Sequence, residues 1–347
     1  MDTRGAVVTS VVAISVAVGA IALWHLRLLI FLFLLGVTWA SAMRPSVERL
    51  RKRGIPRGIG VMLHFAAVTG VLALLVWVAV PRAIAQLEQA VPTSASEARN
   101  SARESSGIKH DLLVALQHRL ENLPSGSAVI HPAMSMTTKA FEILFAILFV
   151  LATTAYWILE RQHAQRLVLS VLAAERRGRV RATWNLIDLR LGAFVRGQLL
   201  TITFVSVTLS TAFGLIGLPF WLLLGVFAGI IEIVPVVGPL LAGALAVGTG
   251  LTIDWRHGAY AAIAVWGLRL VQDYLINPHV FGHTTGLSPL VILVTVTSIG
   301  LLLGGVYVLL SVPLASIAAT IIEVTVLGRD PHEQPLPRVL LSAKDER

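Results

Sequence analysis

The chain has 347 residues, of which 56% are hydrophobic and only 14% charged, with a mean hydropathy of +0.79 and a net charge of +9. That balance excludes a soluble globular enzyme and indicates an all-α polytopic membrane protein whose first partner is the lipid bilayer. Cysteine is absent, so disulfides, thiol nucleophiles, Cys-ligated zinc and iron–sulfur clusters are excluded.

The first apolar runs, Val7 to Trp24 and Leu28 to Met43, meet at His25-Leu26-Arg27. A second run so close behind the first reads as two retained spans rather than a cleaved signal peptide. The loop after them holds Arg44, Arg49, Arg51, Lys52, Arg53 and Arg57 against Glu48 alone, and is expected on the cytoplasmic side. Span three runs from Ile59 to Val80 and stops at Pro81, which closes a first unit, residues 1–81.

Residues 82–139 differ in composition. Their charges are mixed, and Ile108, Leu112, Leu113, Leu116, Leu120 and Leu123 recur at helical spacing. Ser105-Ser106-Gly107 caps that predicted helix and Pro124-Ser125-Gly126 stops it, giving a small extracytoplasmic helical subdomain. Span four, Ala140 to Leu159, leads into a segment with Arg161, Arg166, Arg176, Arg177, Arg179, Arg181, Arg190 and Arg196, offset only by Glu160, Glu175 and Asp188. This completes a unit over 140–196, read as a second cytoplasmic loop. Within it Leu167, Val171 and Leu172 suggest a helix lying in the interface with arginines toward anionic headgroups. Both basic segments fall on one side, which places both termini in the cytoplasm of a multi-pass bacterial inner-membrane protein. The basic excess follows the positive-inside rule, so it does not indicate a nucleic-acid partner.

The unit 197–327 begins with span five, Gly197 to Ile216. Phe220 to Gly250 follows, 31 residues and about 46 Å as one helix against a hydrocarbon core of roughly 30 Å. Span seven covers Gly258 to Leu275, and a last apolar run from Pro289 to Ile322 is again too long for one upright span. The count is about eight membrane segments. The two long ones are read as broken or re-entrant hairpins, because half of each is too short to cross at ~1.5 Å per residue. Hairpins on opposite sides of span seven would form an inverted repeat. Residues 328–347 are a cytoplasmic tail.

Between Arg196 and Asp254 the only charged side chain is Glu232. A carboxylate at membrane depth costs roughly 2.5–3.5 kcal/mol to insert, so it marks a functional candidate. It either couples a proton or cation, accepts a hydrogen bond from a polar substrate, or caps backbone freed near a helix break. Pro235, Gly238 and Pro239 remove two donors and permit a tight turn, which makes either a hairpin tip with free carbonyls or a kink. Arg269 and Asp273 are spaced for an intrahelical ion pair; alternatively Asp273 lines a path with Gln272 and Asn277 and is released on coupling. His279 and His283 are four apart, but Pro278 and Gly282 interrupt a helix there and no carboxylate follows before Glu323, so no metal site is read. From Tyr274 to Ile322 no side chain is charged, which favours a neutral polar substrate or a small cation held by carbonyls. Gly225/Gly229 and Gly300/Gly304 suit close helix packing. No HExxH, GxSxG or phosphate-binding loop is present, so neither an enzyme, nor a cofactor, nor ATP-driven transport is expected.

Three blocks carry a family resemblance: Gly225 to Pro239 with its Glu232 and Pro-x-x-Gly-Pro turn, Arg269 to Pro278 followed by Gly282, and Leu287-Ser-Pro-Leu290 with Leu309-Leu-Ser-Val-Pro313. Over residues 190–325 the chain resembles the autoinducer-2 exporter family of bacterial membrane proteins. The resemblance implies eight membrane segments, a homo-oligomer such as a pentamer, and secondary transport of a small polar molecule or of sodium against protons. It adds Pro278 and Pro313 to the substrate- or ion-binding candidates. A passive channel and an envelope scaffold are the other readings.

Overall fold

The computed structural model describes residues 3–90, 130–234, 237–276 and 288–334, and every regular element among them is helical. The predicted extracytoplasmic helix from Ile108 to Leu123 lies outside the described residues, as do Pro235, Asn277, Pro278, His279 and His283.

The N-terminal helices are α1 (Thr3–His25), α2 (Arg27–Lys52) and α3 (Arg57–Ala90). They are followed by α4 (Ile130–Ser170) and α5 (Ala174–Ile216). Four of these differ from the spans expected: α3 runs on through Pro81 to Ala90, because the helix accommodates that proline, and α4 begins at Ile130, inside the stretch read as an extracytoplasmic subdomain. The basic stretch after Met43 is the last part of α2, and the connection to α3 is Arg53 to Pro56 only. The arginine-rich segment 160–196 is likewise helix, shared between the end of α4 and the start of α5. Arg, Lys, Glu and Leu are strong helix formers, so a change from apolar to charged residues changes the surroundings of a helix without ending it. At roughly 60 Å each, α4 and α5 are about twice the thickness of a hydrocarbon core.

Gly217 in the left-handed conformation (φ 85°) ends α5. The long run after it is broken as expected: α6 (Trp221–Ile231) and α7 (Val237–Leu251) pack on each other as a hairpin. The legs are about 17 and 23 Å, too short to cross singly. The α8 helix (Trp255–Val271) is capped by Asp254, whose carboxylate accepts the His257 N–H at 2.9 Å, and it continues into a π-helical turn, Gln272–Ile276.

The last run is also broken, but unequally. Here α9 (Pro289–Leu303) starts at Ser288, whose hydroxyl accepts the Val291 N–H, and stops at Gly304 (φ 109°). A 3-10 turn, Gly305–Leu310, then leads into α10 (Ser311–Thr325). Together Gly305–Thr325 are long and apolar enough to cross a membrane, so this run pairs one short leg with one full span. Gly304 therefore serves as a helix stop, whereas a close packing contact was expected of it.

Besides a small cluster of Phe31 and Leu32 of α2 with Leu310, two packed regions result. In one, Ala40, Met43 and Val47 of α2 pack with Val61 of α3 and Ile158 of α4. In the other, Val205, Leu209 and Phe213 of α5 meet Ala228 of α6, Ala242 and Ala246 of α7, and Ala261 and Leu268 of α8. The long α5 contacts both α2 and the α6–α7 hairpin. Among the described residues five helices meet the length and hydropathy of a membrane span: Arg27–Lys52, Arg57–Val78, Lys139–Ser170, Ala174–Ile216 and Gly305–Thr325.

Candidate functional site

Small residues bring α6 against α5. A Cβ on Gly225 would stand 2.2 Å from the Ser210 hydroxyl, and one on Gly229 would stand 2.0 Å from that of Ser206. Only glycine allows the two backbones to approach so closely. This seats the C-terminal end of α6 beside Gln198, whose amide donates to the Glu232 carbonyl oxygen at 3.2 Å.

Glu232 is the C-cap residue just after α6, where the chain turns. The Ile233 and Val234 N–H groups donate back to Ile230 and Ile231. Gly238 then passes so close beneath that a Cβ would lie 2.2 Å from the Ile231 carbonyl oxygen. Glu232 and Gly238 thus form the tip of the hairpin, and Pro239 follows in the first turn of α7.

The third wall is α8. Arg269 of α8 and Gln272 and Asp273 of the π-helical turn that continues it are spaced three and four apart, so they share one face. Arg269 Nη1 donates to Glu232 Oε1 at 2.9 Å, and Gln272 Nε2 donates to the same oxygen at 3.3 Å. Arg269 Nε donates to Asp273 Oδ2 at 3.0 Å. One guanidinium therefore bridges two carboxylates from different elements. The Glu232 side chain is 10% exposed and that of Asp273 is 43% exposed, so the inner carboxylate belongs to the hairpin and the outer one to α8. With both carboxylates ionised the group carries one surplus negative charge. The π turn starting at Gln272 is the kind of helix irregularity that often accompanies functional sites.

A cavity of about 20 Å³ adjoins Glu232, bounded by Pro239, Arg269, Gln272 and apolar side chains of α5 and α6. That volume holds one water or a small ion. Desolvation weighs heavily on charges placed this deep, and partners on several sides are what make such burial tolerable.

Five of the residues singled out from the sequence are accordingly gathered in one place: Glu232, Gly238, Pro239, Gln272 and Asp273. Pro313 is not among them; it is fully buried in the first turn of α10, which packs on α5. Sequence reasoning saw Arg269 only as the partner of Asp273 and missed both its bond to Glu232 and the role of Gln198. The available signal for Gln198 was a lone amide at the start of a long uncharged run. Among the described residues no group of three or more His, Asp or Glu side chains is gathered as for a metal ion.

A second polar group lies where α2, α4 and α5 meet. Asp188 is 6% exposed; Arg161 Nε donates to its Oδ2 and the Ser41 hydroxyl to its Oδ1, with Arg44 at 3.7 Å. Two residues on, Arg190 donates to Thr320 Oγ1 at 2.7 Å and Glu323 Oε2 at 3.0 Å, tying α5 to α10. Two arginines of the segment read as facing headgroups, Arg161 and Arg190, are therefore inside the protein. An acidic residue in the middle of an arginine-rich helix was the signal.

The profile of the family described as "AI-2E family transporter" matches residues 13–327. The chain is similar to YrrI of Bacillus subtilis (strain 168), with 22% identity over 79% of this chain and 80% of that protein. It is also similar to MT0215 of Mycobacterium tuberculosis (strain CDC 1551 / Oshkosh), with 25% identity over 86% and 83%. A shorter stretch, 32% of each chain, is 34% identical to YhhT of Escherichia coli (strain K12). The names of all three assign them provisionally to transport.

Proposed function

The chain belongs to the AI-2E family of membrane transporters, and from that membership we propose that it is a secondary transporter of the bacterial inner membrane. On this reading it exports a small polar molecule of the autoinducer-2 type, coupled to a proton or sodium gradient, with both termini cytoplasmic. The observation that carries it is the Glu232–Arg269–Asp273 bridge at the tip of a hairpin. Two carboxylates compete for one guanidinium. Binding a proton or a monovalent cation at either carboxylate removes the surplus charge and frees Arg269 to pair with the other. Because one carboxylate is on the hairpin and the other on α8, that exchange changes the attraction between two elements. Ion occupancy is thereby linked to movement of the hairpin, which we place as a re-entrant element.

Cation–proton antiport is the second reading, favoured by the size of the cavity. About 20 Å³ accommodates a water or an ion but no metabolite, so an exported solute needs an opened state.

The test is reconstitution of the purified protein with imposed proton and sodium gradients in turn. Glu232→Gln should abolish gradient-driven flux, and Asp273→Asn should reduce it or shift its cation dependence. Full coupling in both variants would remove this mechanism. Ohmic current without coupling in the unaltered protein would turn the reading to a channel.

A further inference from the structure

Apart from the hairpin site, one face of α4 and Phe33 of α2 line an open groove of about 500 Å³. That is the size of sites that take drug-sized ligands. Its wall is aromatic: Phe33 comes from α2, and Phe149, Tyr156 and Trp157 from α4. The rings hold one another in place. Phe33 meets Trp157 edge-on at 5.9 Å and 90°, and Trp157 stacks on Trp184 at 6.0 Å and 10°. Glu160 and His163, both exposed, line the groove as well. The neighbouring Arg161 points away, into its bonds with Asp188 and Asn185. Among the described residues Glu160 has neither an ion pair nor a hydrogen bond, and no Lys or Arg lines the groove.

We propose that this groove binds an amphiphilic organic cation, with its apolar or aromatic body on the Phe33–Phe149–Tyr156–Trp157 wall and its positive centre at the Glu160 carboxylate. Aromatic faces attract cations through their quadrupole, most strongly at Trp, and an unpaired carboxylate beside them adds a directional charge. An anionic amphiphile finds no Lys or Arg in this groove, only the His163 imidazole beside the Glu160 carboxylate. A phospholipid is disfavoured for the same reason, since its phosphate would lie near a carboxylate with no Lys or Arg to receive it. The groove is formed by α2 and α4, whereas the hairpin site is formed by α5 to α8, so this binding is independent of the coupling reading above.

The probe is tetraphenylphosphonium, bound to the full chain in nonionic detergent micelles, which carry no ammonium headgroup, and measured by equilibrium dialysis against protein-free micelles. Saturable binding is expected that tetraphenylborate, equal in shape and opposite in charge, does not share. Glu160→Gln should weaken binding about tenfold or more, while Glu160→Asp retains most of it. Tyr156→Leu, at an exposed position, should weaken it without altering gel-filtration behaviour. Equal binding of tetraphenylborate, or undiminished binding by Glu160→Gln, would overturn the proposal. So would displacement of the probe by phosphatidylethanolamine added to the micelles at ordinary membrane content, which would assign the groove to a lipid headgroup.

Discussion

Single residues decide whether the elements can meet. Gly238 is the clearest: any Cβ there strikes the Ile231 carbonyl at the tip of the hairpin. Gly238→Ala should cost about 1–3 kcal/mol, the range for forcing atoms into a filled space. Denaturation of the purified protein in micelles would show it. Asp188 is buried with Arg161, and truncating one member of a buried pair leaves the other charged and unsatisfied. Asp188→Ala should therefore cost about 3–5 kcal/mol, and the joint change Arg161→Met, Asp188→Leu should recover much of that. If the double variant is no more stable than the single one, desolvation is not the dominant penalty there. Glu232 was conspicuous from sequence because nothing charged surrounds it in the chain. Its bond to Arg269 was not, because the partner is 37 positions away and becomes a neighbour only when the hairpin tip reaches the end of α8.

At the scale of elements, breaks in hydrophobic runs matter more than the runs themselves. A Pro/Gly-rich turn divides 220–250 into two legs that stay together through alanine and glycine contacts. Where the chain turns into α8, Asp254 supplies the N-cap. The His257 backbone N–H, and then its ring, hold the Asp254 carboxyl below its ordinary value of 3.8. The sign follows: a lowered folded-state value means the stabilisation is present above the unfolded-state pKa and disappears as pH falls through the folded-state one. Asp254→Ala should lower the midpoint of thermal unfolding at neutral pH, while Asp254→Asn, which caps about as well, should not. The difference between Asp254 and Ala at this position should narrow in acid, where the carboxyl loses its charge but keeps an oxygen that accepts the His257 N–H. The turn signature at Pro235 to Pro239 was readable because proline and glycine act locally. The extent of α2 and α5 was misjudged because charge pattern reports solvent and not backbone, and the arginines that extend these helices favour helix as much as leucine does.

At the scale of the molecule, α5 is the shared element. One of its faces, at Asp188, joins α2 and α4; Arg190 reaches α10; and the apolar stretch beyond carries the hairpin. Movement of the hairpin against α2 and α4 would act chiefly across α5, beside a small direct contact between α3 and α6. A double-mutant cycle between Arg190 and Glu323 should give a coupling of about 0.5–3 kcal/mol. A value near zero would mean that Arg329, also within reach of Glu323 at 3.6 Å, compensates fully and that α10 is held by apolar packing alone.

Hydropathy, residue spacing and turn chemistry depend on each residue and its near neighbours in the chain. For that reason the amino-acid sequence by itself determined the all-helical membrane character, the break after Glu232, the Arg269–Asp273 spacing and the family. Which arginine lies inside and which outside, and which carboxylate shares a guanidinium with which, depend on distances of about 3 Å between elements far apart in sequence. Electrostatic and hydrogen-bond energies fall off over that same distance. Only the packing of α5, α6 and α8, set by Gly225, Gly229 and Gly238, placed Glu232 on Arg269 and turned two isolated candidates into one site.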